Sequence, residues 1–130
     1  MENICITKVE DAPKVIMDFE NGLIEFEGEC YPENAFEFFE PILEWLNEYF
    51  KDIQKETIIN FKLSYFNSAT TQVLFDIFDI LDESGHKALK INWYYDKNNK
   101  GTLKDYEEFS EEFDSLDIQA IAIQELEDGN

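Results

Sequence analysis

Beyond residue 30 the hydrophobic pattern keeps changing period, and this alternation is what most constrains the fold. Tyr31-Pro32-Glu33-Asn34 opens a helix, because Pro is favoured in a first turn and an acid suits the positive end of the helix dipole. Phe36, Phe39, Leu43, Leu46 and Phe50 then recur three and four apart as an apolar stripe. Pro41 falls inside it, so a kink or break is expected near Phe39-Glu40. Thr57–Leu63 follows as a β-branched and aromatic strand, dense enough to be central. A second helix is expected from about Ser68 to Asp82, with Val73, Leu74, Ile77, Phe78 and Leu81 on one side and Ser84-Gly85 at its end. Ala88–Tyr95 reads as a strand with Leu89, Ile91 and Trp93 on one face. Thr102 is placed to cap a third helix whose Leu103, Tyr106, Phe109 and Phe113 face inward. Ile118–Ile123 closes the sheet, and Glu125–Asn130 is a polar tail.

The first thirty residues follow a different rule. Ile4–Val9 is a strand ended by the Asp11-Ala12-Pro13 turn, and Lys14–Phe19 is a second. Asn21-Gly22 is a strong hairpin signal, since both residues tolerate positive φ. Leu23–Gly28 returns with Ile24 and Phe26 alternating against Glu25 and Glu27. The expected fold class is therefore α/β: a mixed sheet with N-terminal antiparallel strands and helices packed on it. No internal repeat or linker divides the 130 residues, so one domain over 1–130 is expected. The 12 phenylalanines and 15% aromatic content are enough to fill its core.

Thirty acids against ten bases give a formal net charge of −20. Such a surface repels phosphate backbones and anionic bilayers, which argues against nucleic-acid and membrane partners. No apolar run reaches the length of a membrane span, and Met1-Glu2-Asn3 does not begin a signal peptide. Cys5 and Cys30 lack CxxC spacing and read as reduced, structural thiols, so a cytoplasmic location is expected.

The segment Leu63–Thr71 carries the functional signal. A buried strand stops near Asn67 and turns into a helix with Ser68, Thr70 and Thr71 at its mouth. First-turn N–H groups and the helix dipole make such a mouth suitable for a phosphate. The structural reading is a helix cap, for which Ser and Asn are preferred in their own right. The two readings are compatible. His86, the single histidine, reads as a solvated loop residue without a nucleophile partner. Asp76/Asp79 and Glu108/Glu111/Glu112 read as solvated helix faces. No EF-hand, Gly-rich phosphate loop or HExxH is present, so neither cofactor nor metal is expected. The rival functional reading is a small acidic enzyme or ligand-binding domain using pocket carboxylates.

Three blocks, Tyr31-Pro32-Glu33-Asn34-Ala35, Tyr65-Phe66-Asn67-Ser68 and Trp93-Tyr94-Tyr95-Asp96, resemble in order the signature blocks of the SiaC family of regulatory phosphoproteins. That family is similar to STAS domains, in which a Ser or Thr at a helix start is phosphorylated. The resemblance implies a non-enzymatic, STAS-like switch: a cognate kinase modifies it, a metal-dependent protein phosphatase reverses this, and the unmodified form binds a target. In one branch that target is a diguanylate cyclase, which makes cyclic di-GMP. The family pattern after Asn is commonly Thr-Ser-Ser, whereas this chain has Ser68-Ala69-Thr70. Ser68 is thus the expected phosphoacceptor, with Thr70 and Thr71 as competitors, and Asn67, Ser68 and Thr71 are expected to meet partners.

Overall fold

In a computed structural model, residues 1–52 and 55–124 are described; the expected polar tail Glu125–Asn130 lies outside them. Among these residues six strands form one sheet in the order β1-β2-β3-β4-β5-β6. They are β1 (Ile4–Ile6), β2 (Lys14–Asp18), β3 (Leu23–Cys30), β4 (Thr57–Phe66), β5 (Leu89–Asp96) and β6 (Ile118–Ile123). β1 and β2, and β2 and β3, pair antiparallel. From β3 onward every pairing is parallel. Three helices, α1 (Ala35–Asp52), α2 (Ser68–Ser84) and α3 (Gly101–Glu112), form the connections between the parallel strands.

All three helices pack on the same face of the sheet. Phe26, Phe61 and Trp93 lie side by side across β3, β4 and β5. Each meets one helix: Phe26 approaches Phe39 of α1 at 6.3 Å between ring centroids, Phe61 meets Phe78 of α2 at 5.2 Å, and Trp93 meets Phe109 of α3 at 5.5 Å. The opposite face is polar. There Asn92 donates to Asn60 (2.9 Å), Asn60 donates to Glu25 (3.0 Å), and Lys62 pairs with Glu25 (3.4 Å). With one face covered, β3 alternates buried and half-buried residues strictly, as a one-sided strand must.

Several local expectations are corrected. α1 runs on through Pro41. The bond that Pro cannot make is the one to the Glu37 carbonyl; both residues are exposed, so water can serve that carbonyl. The buried face of α1 is Ala35, Phe39, Ile42, Trp45, Leu46, Tyr49 and Phe50, while Phe36 is exposed. In the β2–β3 turn only Gly22 has positive φ (63°); Asn21 is instead held by Asp18, whose carboxylate accepts from its N–H (3.2 Å) and side-chain amide (2.7 Å). Thr102 does not cap α3. Lys100 occupies the cap position without a side-chain bond, and the Asn99 side chain accepts from Gly101 N–H (3.3 Å). Thr102 is buried and its carbonyl accepts from the Trp93 indole at 3.0 Å.

One irregularity matters for the site. Gly28 pairs with Leu63 but Glu29 pairs with Tyr65, so Ser64 is an extra residue in β4. The bulge reverses the alternation beyond it. Phe66 turns inward, edge-on to Trp93 at 6.0 Å, and Tyr65 turns outward, 52% exposed.

Candidate functional site: the mouth of helix α2

Helix α2 begins where central strand β4 ends, at the edge of the sheet reached by all four parallel strands. Asn67 is its cap, in extended conformation (φ −87°, ψ 174°). Its side-chain oxygen accepts from Thr70 N–H at 2.9 Å, and its carbonyl accepts from Thr71 N–H at 3.0 Å. Asn rather than Ser therefore supplies the cap. The N–H groups of Ser68 and Ala69 precede the first helical bond and remain at the mouth. No acid occupies the first turn of α2, so the positive end of its dipole is not offset by its own side chains.

The three hydroxyls are sorted by this geometry. Thr70 is fully buried, and its Oγ1 donates to the Cys30 carbonyl at 3.3 Å. Thr71 is half-buried and donates to the Asn67 carbonyl, also at 3.3 Å. Ser68 is exposed. Of the predicted partner-facing residues, Ser68 is at the surface, whereas Asn67 and Thr71 are half-buried and committed to the cap. Their exposed neighbour is Ala69.

Cys30 is the residue that periodicity did not flag. Its carbonyl accepts from both Asn67 N–H (3.2 Å) and Thr70 Oγ1, tying the end of β3 to the start of α2. The contact joins residues 40 apart in the chain, and no local pattern announces it. Burial pushes the Cys30 thiol up to about 11, opposed by the Thr70 hydroxyl and reinforced by Asp11. Both cysteines are free; Cys5 is exposed and Cys30 buried. A thiol reagent at pH 8 is expected to label Cys5 promptly and Cys30 only when the chain unfolds. Because the folded thiol holds its proton more tightly than the unfolded one, its contribution to stability is complete below about pH 9. It is lost as pH rises toward 11. Labelling kinetics with peptide mapping check the first point; equal rates at the two sites would contradict it.

His86 is corrected as well. It is half-buried, its Nε2 lies 2.7 Å from the Lys55 carbonyl, and its ring meets Phe50 edge-on at 5.8 Å. It joins the lower end of α2 to the chain before β4. A cavity of about 400 Å³ lies beside it, rimmed by Asp82, Lys87 and Asp117. Asp82 there accepts from the Ser115 hydroxyl. Among the described residues no group of three or more His, Cys, Asp or Glu side chains is placed to hold a metal ion. Glu108, Glu111 and Glu112 are exposed, as solvated helix residues should be. No described helix is long and apolar enough to cross a membrane.

Residues 6–123 match the family model for the SiaC family regulatory phosphoprotein. An uncharacterised protein of Pseudomonas aeruginosa strain UCBPP-PA14 is 28% identical over 114 residues, covering 86% of this chain and 90% of that relative. The crystal structure of apo-SiaC from Pseudomonas aeruginosa superposes with a TM-score of 0.86 at 28% identity, over 94% of this chain and all of that one. A similar match (TM-score 0.86, 27% identity, 92% of this chain and 99% of the other) is to a chain in the structure of the diguanylate cyclase SiaD in complex with its activator SiaC, from the same organism. The capped strand–helix junction lies within the matched span, and the chain belongs to the SiaC family of regulatory phosphoproteins.

Proposed function

We propose that this chain is a phosphorylation-controlled binding module whose unmodified form docks on a diguanylate cyclase in the cytoplasm. A kinase transfers phosphate to Ser68, and a metal-dependent protein phosphatase removes it. The chain acts by binding, without turnover of its own. The observation that carries the choice of residue is the sorting of hydroxyls at α2: Thr70 is buried, Thr71 is bonded to the cap carbonyl, and Ser68 stands free at the surface. The similarity to a SiaC seen with the cyclase it activates supports the target class.

The chemistry follows from the site. A phosphate on Ser68 adds nearly two negative charges. Its oxygens lie beside the N–H groups of Ser68 and Ala69 and at the positive end of the dipole, so the helix tolerates it. The same phosphate fills the mouth of α2 and denies those donors to a partner. The switch is thus steric and electrostatic and leaves the core unchanged. Phosphopeptide mapping of wild type and Ser68→Ala recovered from the native cells tests it. Phosphate on Ser68 in the wild type, and an unmodified Ser68–Thr71 peptide in the variant, is the expected result. Phosphate on Thr71 with Ser68 unmodified would overturn the assignment.

A further inference from the structure

Beside the mouth of α2, the bulge in β4 brings the outward Tyr65 against Tyr31, their rings edge-on with centroids 6.0 Å apart. Tyr31 follows the last residue of β3, and its N–H donates to the Asp11 carbonyl at 2.8 Å. Partial burial and the negative charges of Glu29, Glu10 and Asp11 hold the Tyr31 phenol above its ordinary pKa. Two aromatic faces and three carboxylates therefore share one patch of surface.

Elsewhere two half-buried rings are covered by the chain's own cations. Lys55 lies over Phe19 at 4.4 Å, and Lys62 lies over Tyr94 at 5.2 Å. Among the described residues no lysine is placed over Tyr31 or Tyr65. Lys8, whose stem lies along Gly28, turns its ammonium back to the Val9 carbonyl at 2.7 Å. The ring quadrupoles and the carboxylates both favour a cation, and none of the described residues places one over these two rings.

We infer that the Tyr31–Tyr65 pair anchors a lysine- or arginine-bearing segment of a partner protein, its cation held over the rings and its charge met by Glu10, Asp11 and Glu29. The inference goes beyond phosphorylation and does not require it. A phosphate on Ser68, three residues from Tyr65, has the same sign as the carboxylates and leaves the attraction in place. The anchor thus serves partners in either state, whereas the mouth of α2 serves only one.

The probe is the peptide acetyl-Gly-Arg-Gly-Arg-Gly-amide, titrated into the unmodified, isotopically labelled full chain at roughly physiological salt, where long-range attraction is screened. Amide shifts are expected to concentrate at residues 29–31 and 65–68. Affinity is expected to fall about five- to ten-fold in Tyr31→Leu/Tyr65→Leu and to persist in Tyr31→Phe/Tyr65→Phe, which keeps both rings. The chain is unmodified in every titration, so failure here is separable from failure of the phosphosite. Tyr65 is exposed and Tyr31 half-buried, and the amide spectra report whether each variant is folded. Shifts spread over the acidic face of α3 and unchanged in the leucine variant, or no shifts at all, would overturn the inference.

Discussion

Phe61→Ala is expected to destabilise the folded state by about 3–5 kcal/mol, the range for removing a large buried aromatic side chain. Phe61 is fully buried in the central strand and joins the layers of the core. Its ring stacks on Phe26 at 5.4 Å and on Phe78 at 5.2 Å, and lies 5.5 Å from Trp93. Alanine leaves a void bounded by three aromatic rings that cannot collapse without shifting β3, β5 and α2 together. Domains of this size are stable by only about 5–15 kcal/mol, so the loss is a large fraction of the total. Urea denaturation should show a lower midpoint with an unchanged slope. Phe36→Ala is the control: that ring is 61% exposed, and its loss should change stability by no more than about 0.5 kcal/mol. Equal effects at the two positions would contradict the packing described above.

The second large effect belongs to a glycine. Gly22 and Gly85 share the same left-handed φ of 63°, which a side chain disfavours. Their surroundings differ. A Cβ at Gly22 would collide with the backbone carbonyl of Glu56, whereas one at Gly85 would meet nothing. The Gly22 carbonyl also accepts from Ile58 N–H at 2.8 Å, so the turn cannot withdraw without loosening the start of β4. Gly85→Ala is expected to cost about 1–2 kcal/mol, the conformational penalty alone. Gly22→Ala should cost about 3 kcal/mol or more, because backbone must move as well. Thermal or denaturant melts of the two variants isolate the collision; similar losses would mean that the Glu56 carbonyl gives way easily.

Much of the fold could be read from residue patterns because most of its elements are locally periodic. The alternation of Ile24 and Phe26 with Glu25 and Glu27, the α2 stripe from Val73 to Leu81, and the run Ile118–Ile123 each set the matching element to within a few residues. Misreadings arose where distant chain or solvent decided the outcome. Pro41 survives in α1 because its missing bond faces water, a property of orientation that residue type does not reveal. Thr102 resembled a cap, yet the tertiary fold buries it beneath Trp93. At the site, the strand-to-helix junction and its hydroxyls were visible in the sequence. Which hydroxyl faces solvent was not, because that is fixed by the Cys30 carbonyl arriving from another strand.

The extra residue in β4 sets the phase of everything that follows it. Ser64 has no opposite number on β3, so it works like a half-step inserted in a staircase. Upstream the steps hold the core together, and downstream they decide which aromatic ring greets the outside. Were Ser64 instead to take a regular place opposite Glu29, Tyr65 would swing toward the interior and Phe66 would stand in its place, swapping a phenol for a bare ring at the surface. Spacing here is therefore as much a part of what the surface displays as composition is: one residue tucked into a bulge, with no change of side chain, decides which ring faces out.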